Sequence, residues 1–336
     1  MMKPVRIGVA GIGRWGPNIV RNLMSIEDCH LVGVVDKDES RLKKIASTFP
    51  NLSYHLSIDE IMKNIDGLFI ATPSSTHYHL AKKALKAGIN TFVEKPLAMK
   101  VREAEELVEL AEKNRYILMV GHILLFHPAI IRLRQEIKSG SLGNIYYLNA
   151  VRVNLGTIKT DENTLWSLGP HDVSAIIYLL DERPVAVTAT GSSYLNQDSL
   201  DVAFTTLYFQ SGIIAHIHTS WLDPNKVRRL TIVGSKKMAT FDDMEPQEKL
   251  RIYDKGVEKI DLETSPILSL SLRFGDINIP KLPNLEPLRA ECQAFIDAIK
   301  NHKPPKSDGS FGMTVVRIIA AAEQSIIEGR KVKIEY

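Results

Sequence analysis

The sequence predicts an α/β protein with two domains, the first a doubly wound parallel sheet and the second an α+β domain with a large, mostly antiparallel open sheet. The chain has 336 residues, enough for about two domains at roughly 100 to 200 residues each. In its first third, short apolar runs alternate with amphipathic stretches, as in parallel strands joined by crossover helices. From Asn144 onward, segments with period-2 apolar alternation follow one another, with one clear helix between the first two.

The first domain is expected to span residues 1–122. Its predicted strands are short apolar runs, which suit strands buried on both faces of a sheet. They are Val5–Val9, Leu31–Val35, Leu68–Ile70, Thr91–Val93 and Ile117–Val120. Between the strands, apolar residues recur at helical spacing from Trp15 to Ile26 and again from Val101 to Ala111, which predicts two of the connecting helices.

The second domain is expected to span residues 123–336. Its predicted strands are Ile145–Val153, Ala186–Tyr194, Val202–Phe209, Ile213–Trp221, Arg228–Val233, Met238–Phe241 and Arg251–Tyr253. The predicted helix between the first two strands is Asp172–Leu180, and Pro266–Pro287 is predicted to be a long loop. Apolar stripes from Leu288 to Ile299 and from Val315 to Ile326 predict two closing helices.

Several of these strands carry apolar residues on both faces. In the segment Val202–Phe209, Phe204 and Tyr208 point one way while Ala203 and Leu207 point the other. We therefore expect helices on one face of the sheet and a partner subunit on the other, which predicts self-association into a dimer or tetramer. The alternative is a second helical layer within the same chain.

The composition excludes several classes of protein. The chain is 44% hydrophobic and 24% charged, with only two cysteines, Cys29 and Cys292, so disorder and a disulfide scaffold are excluded. A net charge of +3 is too small to predict binding to nucleic acid or to an anionic membrane. The apolar stretch Tyr116–Phe126 is far shorter than the ~20 residues of a membrane span, so we expect a soluble cytoplasmic protein.

A glycine-rich segment with the pattern G-x-G-x-x-G follows the first predicted strand. Its members are Gly11, Ile12, Gly13, Arg14, Trp15 and Gly16. In such a turn the first glycine bends the chain, the second lets main-chain N–H groups approach a pyrophosphate, and the third lets the helix pack on the strand. The helix N-terminus then faces the negative charge. This segment predicts a dinucleotide site.

Asp36 indicates which dinucleotide is bound. It lies twenty residues beyond Gly16, at the end of the second strand, where a carboxylate can accept hydrogen bonds from both ribose hydroxyls. Because a carboxylate repels the 2′-phosphate of NADP, we expect NAD as the cofactor. NADP is the weaker alternative, since Lys37 and Arg41 lie nearby in the sequence.

Two further strand ends carry polar residues. Ala71, Thr72 and Pro73 follow one strand, with His77 shortly after, and Glu94, Lys95 and Pro96 follow the next. The carboxyl ends of the strands form the ligand crevice of a doubly wound sheet, so these residues are expected beside the cofactor. A partly desolvated lysine there can exchange a proton with a hydroxyl. An exposed lysine paired with its neighbouring glutamate is the alternative.

Together these motifs resemble the glucose-fructose oxidoreductase, inositol dehydrogenase and rhizopine-catabolism (Gfo/Idh/MocA) family. The resemblance covers essentially the whole chain. In the second half, Leu165–Asp172 is similar to the family's second catalytic segment, and Ser220–Pro224 is similar to one of its sheet strands. Trp15–Asn18 and Asn154–Gly156 are closer to the nucleotide-sugar 3-dehydrogenase branch than to the inositol branch.

The resemblance implies an enzyme that transfers a hydride between nicotinamide and a secondary ring hydroxyl of a sugar derivative. The expected substrate is a nucleotide sugar oxidised at a position such as C3. Carried over by position, Lys95 and His171 are the acid-base pair that removes and returns the hydroxyl proton. Inositol, free sugars and sugar phosphates are the alternative substrates.

One residue departs from the family pattern. Members commonly carry an aspartate four residues before the histidine, where this sequence has Ser167. Without that carboxylate, the pKa of Lys95 should fall, or the substrate should supply the missing acceptor. Ser167 could itself bind a substrate hydroxyl. A homologue that binds its cofactor without turnover is the alternative from another functional class.

Three other polar residues are candidates for binding sugar hydroxyls or phosphate: His122, Arg152 and Asn154. Their alternatives are structural, since Arg152 can pair with an acidic neighbour and His122 can be a buried core histidine.

The pair His216 and His218 has a spacing that zinc sites use, but no third ligand is indicated, so no metal site is expected.

Overall fold

The protein is described by a computed structural model that covers residues 3–156, 162–195, 199–260 and 269–336. It divides into two compact units, one made of Met1–Phe126 with Leu285–Ala320 and the other of His127–Asn284 with Ala321–Tyr336. We had expected every residue after 122 in the second domain. In the structure, Leu285–Ala320 belongs to the first unit.

The first unit is built on a sheet of six parallel strands in the order β3-β2-β1-β4-β5-β6. The strands are β1 (Val5–Ala10), β2 (Cys29–Val35), β3 (Tyr54–His55), β4 (Gly67–Ile70), β5 (Asn90–Glu94) and β6 (Leu118–Gly121). This is the strand order of a doubly wound dinucleotide fold, with its switch point between β1 and β4. The five predicted strands are confirmed to within two residues at each end, while the two-residue β3 was not predicted.

Helices cover the strands of this sheet. They are α1 (Gly16–Met24), α2 (Glu39–Thr48), α3 (His77–Lys86), α4 (Val101–Asn114) and α7 (Pro287–Asn301), the last coming late in the chain. Packing explains why α7 belongs to this unit: the Phe295 ring lies edge-on to Phe69 at 5.0 Å and to Phe92 at 5.9 Å between ring centroids. Its apolar stripe is therefore buried on the parallel sheet.

The second unit is built on a sheet of nine strands in the order β14-β13-β12-β11-β7-β10-β9-β8-β15. The strands are β7 (Ile145–Val153), β8 (Pro184–Ser192), β9 (Val202–Phe209), β10 (Ile214–Ser220), β11 (Val227–Gly234), β12 (Met238–Asp242), β13 (Leu250–Ile260), β14 (Ser269–Asn278) and β15 (Val332–Lys333). The β7–β10 pair is parallel and the other pairs are antiparallel, which confirms the predicted sheet.

The predicted loop Pro266–Pro287 is wrong over part of its length. Residues 269–278 form β14, paired antiparallel with β13, while residues 266–268 lie outside the described residues. Leu270, Leu272 and Phe274 alternate with polar residues, which is the pattern of a strand with one apolar face. The flanking prolines predict a loop, whereas this alternation predicts the strand that is observed.

Helices α5 (Pro128–Lys138) and α6 (Thr164–Leu180) belong to the second unit. The sequence predicts that the second of these begins at Asp172. It begins eight residues earlier, since the Asn163 side chain caps it by accepting a hydrogen bond from the Trp166 N–H at 3.0 Å. Pro170 lies inside the helix, so that His171 is in mid-helix and not at its start.

The last helix, α8 (Gly309–Glu328), begins in the first unit and ends in the second. By length and apolar composition it is the one described helix that could cross a membrane. Such a signal from one helix is weak, because a core helix gives it as well. Val315, Ile318, Ile319 and Ala322 are buried within the protein, as in a core helix.

Candidate functional site

The glycine-rich loop joins β1 to α1. Gly11 has φ +96°, and a Cβ there would lie 2.6 Å from main-chain atoms of Ala71. A Cβ on Gly16 would lie 2.1 Å from the carbonyl oxygen of Gly11. Gly13 differs from both, because the nearest atom to a Cβ there is an Arg41 nitrogen at 3.9 Å. Gly11 and Gly16 are thus required by the fold itself, whereas Gly13 leaves open space above the loop.

The carboxylate of Asp36 is held against this loop. One oxygen accepts the Ile12 N–H at 2.6 Å, and the other accepts the Asp38 N–H at 2.9 Å. The Arg41 guanidinium lies 3.9 Å away. Each carboxylate oxygen has a second lone pair, so the two main-chain bonds leave acceptors for ribose hydroxyls. The open space at Gly13 and this fixed carboxylate fit a dinucleotide, with Arg14 and Trp15 exposed beside them.

The loops after β4 and β5 lie at the same edge of the sheet. The Ala71 N–H bonds the carbonyl of Ala10, the last residue of β1. His77 is buried, and its two ring nitrogens lie 2.9 Å from the Thr72 carbonyl oxygen and 2.8 Å from that of Pro96. The side chain thus links the two loops that flank the crevice, and the cofactor contact of His77 stays a prediction.

Two carboxyl groups with raised pKa values lie near Lys95: the half-buried Glu94, which precedes it in the chain, and Glu291 of α7, which is buried. Phe92 and Glu94 share a face of β5, and Phe295 and Glu291 are one turn apart on α7. The two phenylalanine rings are in contact. The two glutamates are therefore neighbours. Burial raises the pKa of Glu94 to about 7, an effect that Lys95 only partly offsets. Burial and the charge of Glu94 raise the pKa of Glu291 well above its usual range. The pair therefore retains a proton near neutral pH.

The raised pKa of Glu94 predicts a pH-dependent stability. The folded protein binds this proton more tightly than the unfolded chain does, so the contribution of Glu94 to the free energy of unfolding falls as the pH rises from about 4.5 to about 7. The free energy of unfolding of Glu94→Gln, relative to that of the wild type, should therefore increase as the pH rises through that interval and stay constant at higher pH. Urea unfolding over a pH series measures this. The exposed Glu109→Gln is the matched control, and a difference between wild type and Glu94→Gln that is constant with pH would contradict the assignment.

His122 directly follows β6 at the same edge. It is 1% exposed, and neither ring nitrogen has a hydrogen-bond partner within the described ranges. Burial, with a smaller effect from Lys95, lowers the pKa of His122 to about 3, so the imidazole is neutral. A buried polar group without a partner costs free energy, which supports the prediction that His122 meets a ligand.

The predicted site residues of the second unit cluster around α6 and the end of β7. Ser167 and His171 are one turn apart on α6, with Ser167 buried and His171 half-buried. Arg152 is buried in a two-pronged ion pair with Asp172, at 2.6 and 3.0 Å, so the structural alternative for Arg152 describes what is observed. Asn154 accepts a hydrogen bond from Arg228.

Sequence reasoning missed three residues of these clusters. Arg228 gave no signal, because the pairing of β11 with β7 that brings it to Asn154 is a tertiary contact. Asp172 was predicted only as the start of its helix and as the last residue of the segment Leu165–Asp172. Glu291 could have been found, because it interrupts the apolar stripe of α7 at a position between Leu288 and Phe295.

His216 and His218 lie on a face of β10 where both rings stack on Phe204, at 6.3 and 4.4 Å between centroids. Burial lowers the pKa of both histidines. Among the residues that the structure describes, no group of three or more His, Cys, Asp or Glu side chains could hold a metal ion. Both histidine rings thus pack against Phe204 within the sheet.

Two family models match the chain, and together they cover more than half of it. Residues 5–122 match the GFO/IDH/MocA oxidoreductase family with its NAD-binding Rossmann fold, and residues 130–240 match the C-terminal domain of that family. The chain belongs to the GFO/IDH/MocA oxidoreductase family. This GFO/IDH/MocA protein is therefore an NAD-binding oxidoreductase, which confirms the predicted family and cofactor.

Curated relatives match almost the full length of the GFO/IDH/MocA chain. The UDP-N-acetylglucosamine 3-dehydrogenase of Acidithiobacillus ferrooxidans is 29% identical over 321 residues, 95% of this chain and 96% of the relative. The myo-inositol 2-dehydrogenase of Thermotoga maritima is 24% identical over 344 residues, 98% of this chain and 99% of the relative. A solved structure of the Acidithiobacillus enzyme is 26% identical, with a TM-score of 0.82, and the match covers 97% of this chain and 98% of that one.

The surroundings of Asp36 predict how cofactor preference responds to mutation. Asp36→Ser removes the carboxylate that repels a 2′-phosphate and frees Arg41 to meet one, so the ratio of NADP to NAD affinity should rise about 10- to 100-fold. Calorimetric titration with both cofactors measures the ratio. Asp38→Ser is the matched control, because Asp38 also contacts Arg41, at 3.3 Å, but caps α2. An unchanged ratio in Asp36→Ser would show that Asp36 does not face the ribose.

Proposed function

We propose that this protein oxidises a secondary ring hydroxyl of a nucleotide sugar, or runs that reaction in reverse, with Lys95 and His171 as the acid-base pair. The observation that carries the proposal is the position of Lys95. It follows β5 at the carboxyl end of the parallel sheet, in the crevice where doubly wound folds bind nicotinamide, directly after the half-buried Glu94.

The chemistry requires a proton acceptor beside the reacting carbon. Bound nicotinamide supplies the hydride acceptor. A hydride can leave the carbinol carbon only if the hydroxyl proton is removed in step, because a protonated ketone is a high-energy product. In the proposed reaction the neutral amine of Lys95 takes this proton and becomes an ammonium, which the negative charge of Glu94 stabilises.

The α6 residues supply the second half of the proposed chemistry. His171 and Ser167 are one turn apart, so an imidazole and a hydroxyl lie on one side of the helix. Imidazole both donates and accepts protons near neutral pH, and Ser167 can donate to or accept from a sugar hydroxyl. Asn154 with Arg228, and the unpaired His122, are the further polar groups that we propose for substrate binding.

The nucleotide sugar is proposed as the substrate because a relative named for that activity matches nearly the whole chain. A free inositol is the alternative, supported by the myo-inositol 2-dehydrogenase that matches over a similar length. Incubation of the protein and NAD with UDP-N-acetylglucosamine, UDP-glucose, sugar phosphates and inositols, with NADH absorbance as the readout, separates the two. Turnover of an inositol but not of a UDP-sugar would replace our substrate with the alternative.

Ser167 favours a second candidate, a homologue that binds NAD without turnover. That candidate predicts NAD binding, no reduction of NAD by any member of the panel, and a gain of activity in Ser167→Asp. Our proposal predicts that the wild type is active and that Ser167→Asp shifts its pH profile by adding a carboxylate near the acid-base pair. The same assays of both proteins decide between the candidates.

We further propose that the protein self-associates through its nine-stranded sheet, with a second copy of the chain as the partner. On β14, Leu270, Leu272 and Phe274 are 61%, 65% and 75% exposed. Contiguous apolar surface of this kind is typical of protein interfaces. A cytoplasmic location likewise stays a prediction.

Self-association gives a prediction that can be measured by light scattering after gel filtration. The wild type should have the mass of a dimer or larger assembly, and the double variant Leu272→Asp with Phe274→Asp should shift toward the monomer, since charges would be buried in the interface. Leu56→Asp, at an exposed leucine of the first unit, is the control and should assemble like wild type. Equal masses for the wild type and the double variant would place the interface elsewhere.

A further inference from the structure

The helix turn that carries His171 has a weakened main chain. Pro170 has no N–H, so the carbonyl of Trp166 receives no hydrogen bond from it in the helical ladder. One turn later, the Ser174 hydroxyl donates to the carbonyl oxygen of His171 at 2.9 Å, and side-chain bonds of this kind tend to bend a helix. This turn of α6 therefore has less main-chain hydrogen bonding to fix the direction of His171 than an uninterrupted helix has.

A tertiary contact holds this turn. Asp172, the residue after His171, accepts two hydrogen bonds from the Arg152 guanidinium, at 2.6 and 3.0 Å. The Asp172 side chain is only 5% exposed and that of Arg152 only 8%. Arg152 lies on β7, which is paired with β10 on one side and β11 on the other. A planar guanidinium on a strand held from both sides fixes both the position and the orientation of the carboxylate.

Helix geometry carries this constraint to His171. Successive residues on an α-helix are about 100° apart, so fixing Asp172 against the sheet also fixes the direction in which the adjacent imidazole leaves the helix. Asp172 is buried, whereas His171 is half-buried. This arrangement holds the aspartate inward while leaving the imidazole accessible.

Stability alone does not account for such a pair. Two buried charges lose their hydration, and replacing a buried ion pair by apolar side chains of similar volume is often neutral or stabilising. An apolar pair at these positions would lack the directional hydrogen bonds between the guanidinium and the carboxylate. We infer that Arg152 and Asp172 are positioning residues, which set the orientation of His171 for proton exchange with the substrate. The inference rests on the proposed function of His171.

The decisive variant removes both charges at once. Single substitutions such as Asp172→Asn leave a buried arginine without its carboxylate and should destabilise the fold. The double variant Arg152→Met with Asp172→Leu leaves no unpaired charge, so its unfolding midpoint in urea should be close to that of the wild type. Its kcat should nevertheless fall about 10²-fold, with the KM for NAD unchanged, because a catalytic group displaced by about 1 Å loses this much rate.

A second ion pair on the same sheet serves as the control. Arg229 contacts Asp242 at 2.8 and 3.0 Å, linking β11 to β12 and not to α6. Arg229→Met with Asp242→Leu should keep the kcat of the wild type. Equal kcat values for the wild type and the Arg152→Met, Asp172→Leu variant at equal stability would overturn the inference.

A readout that needs no turnover separates this inference from the proposed function. In protein labelled with carbon-13 at the histidine rings, the His171 resonance is identified by its absence in His171→Gln. The Arg152→Met, Asp172→Leu variant should shift this resonance and its titration midpoint, and the Arg229→Met, Asp242→Leu control should shift neither. If no sugar is oxidised but the resonance shifts, the proposed function fails and the positioning stands. If sugar is oxidised and the resonance does not move, the positioning fails.

Discussion

Lys95→Met should lower the rate of hydride transfer about 10³-fold while leaving the affinity for NAD largely unchanged. Removing a general base from a reaction of this type costs about 10²- to 10⁴-fold, and methionine keeps most of the volume of the lysine stem. Lys95 follows the last residue of β5 and is half-buried. Single-turnover reduction of NAD by a nucleotide sugar measures the rate, and calorimetry measures cofactor affinity.

Lys100→Met is the matched control for this experiment. Lys100 lies five residues further along, and its side chain is 77% exposed, with an ion pair to Glu103 at 3.7 Å. Such a surface pair contributes little to stability, so this variant should behave like the wild type in both assays. Retention of the full rate in Lys95→Met would remove the lysine from the proposed mechanism. Loss of NAD affinity along with the rate would reassign it to cofactor binding.

Gly13→Ala should weaken NAD binding about 10- to 100-fold without changing the free energy of unfolding. In the protein alone, a Cβ at Gly13 meets nothing closer than an Arg41 nitrogen at 3.9 Å, so the loop can accept it. The same Cβ projects into the space over the glycine-rich loop, where a pyrophosphate must approach the main-chain N–H groups. Loss of hydrogen bonds to a charged group accounts for a factor of this size. Calorimetric titration with NAD and unfolding in urea are the two measurements.

Gly16→Ala is the informative contrast, because it tests the fold and not the ligand. Its Cβ would lie 2.1 Å from the carbonyl oxygen of Gly11, so the loop must move even in the absence of a ligand. We therefore expect Gly16→Ala to lower the free energy of unfolding and Gly13→Ala to leave it unchanged. A large loss of stability in Gly13→Ala, or none in Gly16→Ala, would contradict the roles assigned to the two glycines.

Most of the fold could be predicted because its elements carry strong local patterns. The strands Ile145–Val153 and Val202–Phe209 were predicted with their observed bounds, since their apolar residues alternate or run continuously between clear turns. The errors occurred where a proline competed with periodicity. Helix α6 begins eight residues before the predicted Asp172, with Pro170 inside it, and the prolines around β14 concealed a strand that alternates clearly.

The candidate site could be predicted only from residues that follow strand ends or lie at a fixed spacing from the glycine-rich loop. The glycine-rich loop and Lys95 follow from the order of strand, turn and helix, and Asp36 follows from its spacing. The pairing of Arg152 with Asp172 and the proximity of Glu94 to Glu291 depend on the packing of helices on sheets, which no local pattern encodes. This is why Arg152, an anion-binding candidate in the sequence, is an ion-pair partner in the structure.

The proposed function requires a hydride to pass between a ring carbon of a nucleotide sugar and NAD, and we propose C3 as that carbon. The most direct measurement uses UDP-N-acetylglucosamine labelled with deuterium at C3, incubated with the wild-type protein and NAD, followed by mass spectrometry of the reduced cofactor. We predict that the NADH carries the deuterium, that label at C4 is not transferred, and that Lys95→Met forms labelled NADH about 10³-fold more slowly than the wild type. Unlabelled NADH from the C3-labelled sugar, or transfer from C4, would contradict the proposed position of oxidation, and no NADH from any sugar would contradict the account itself.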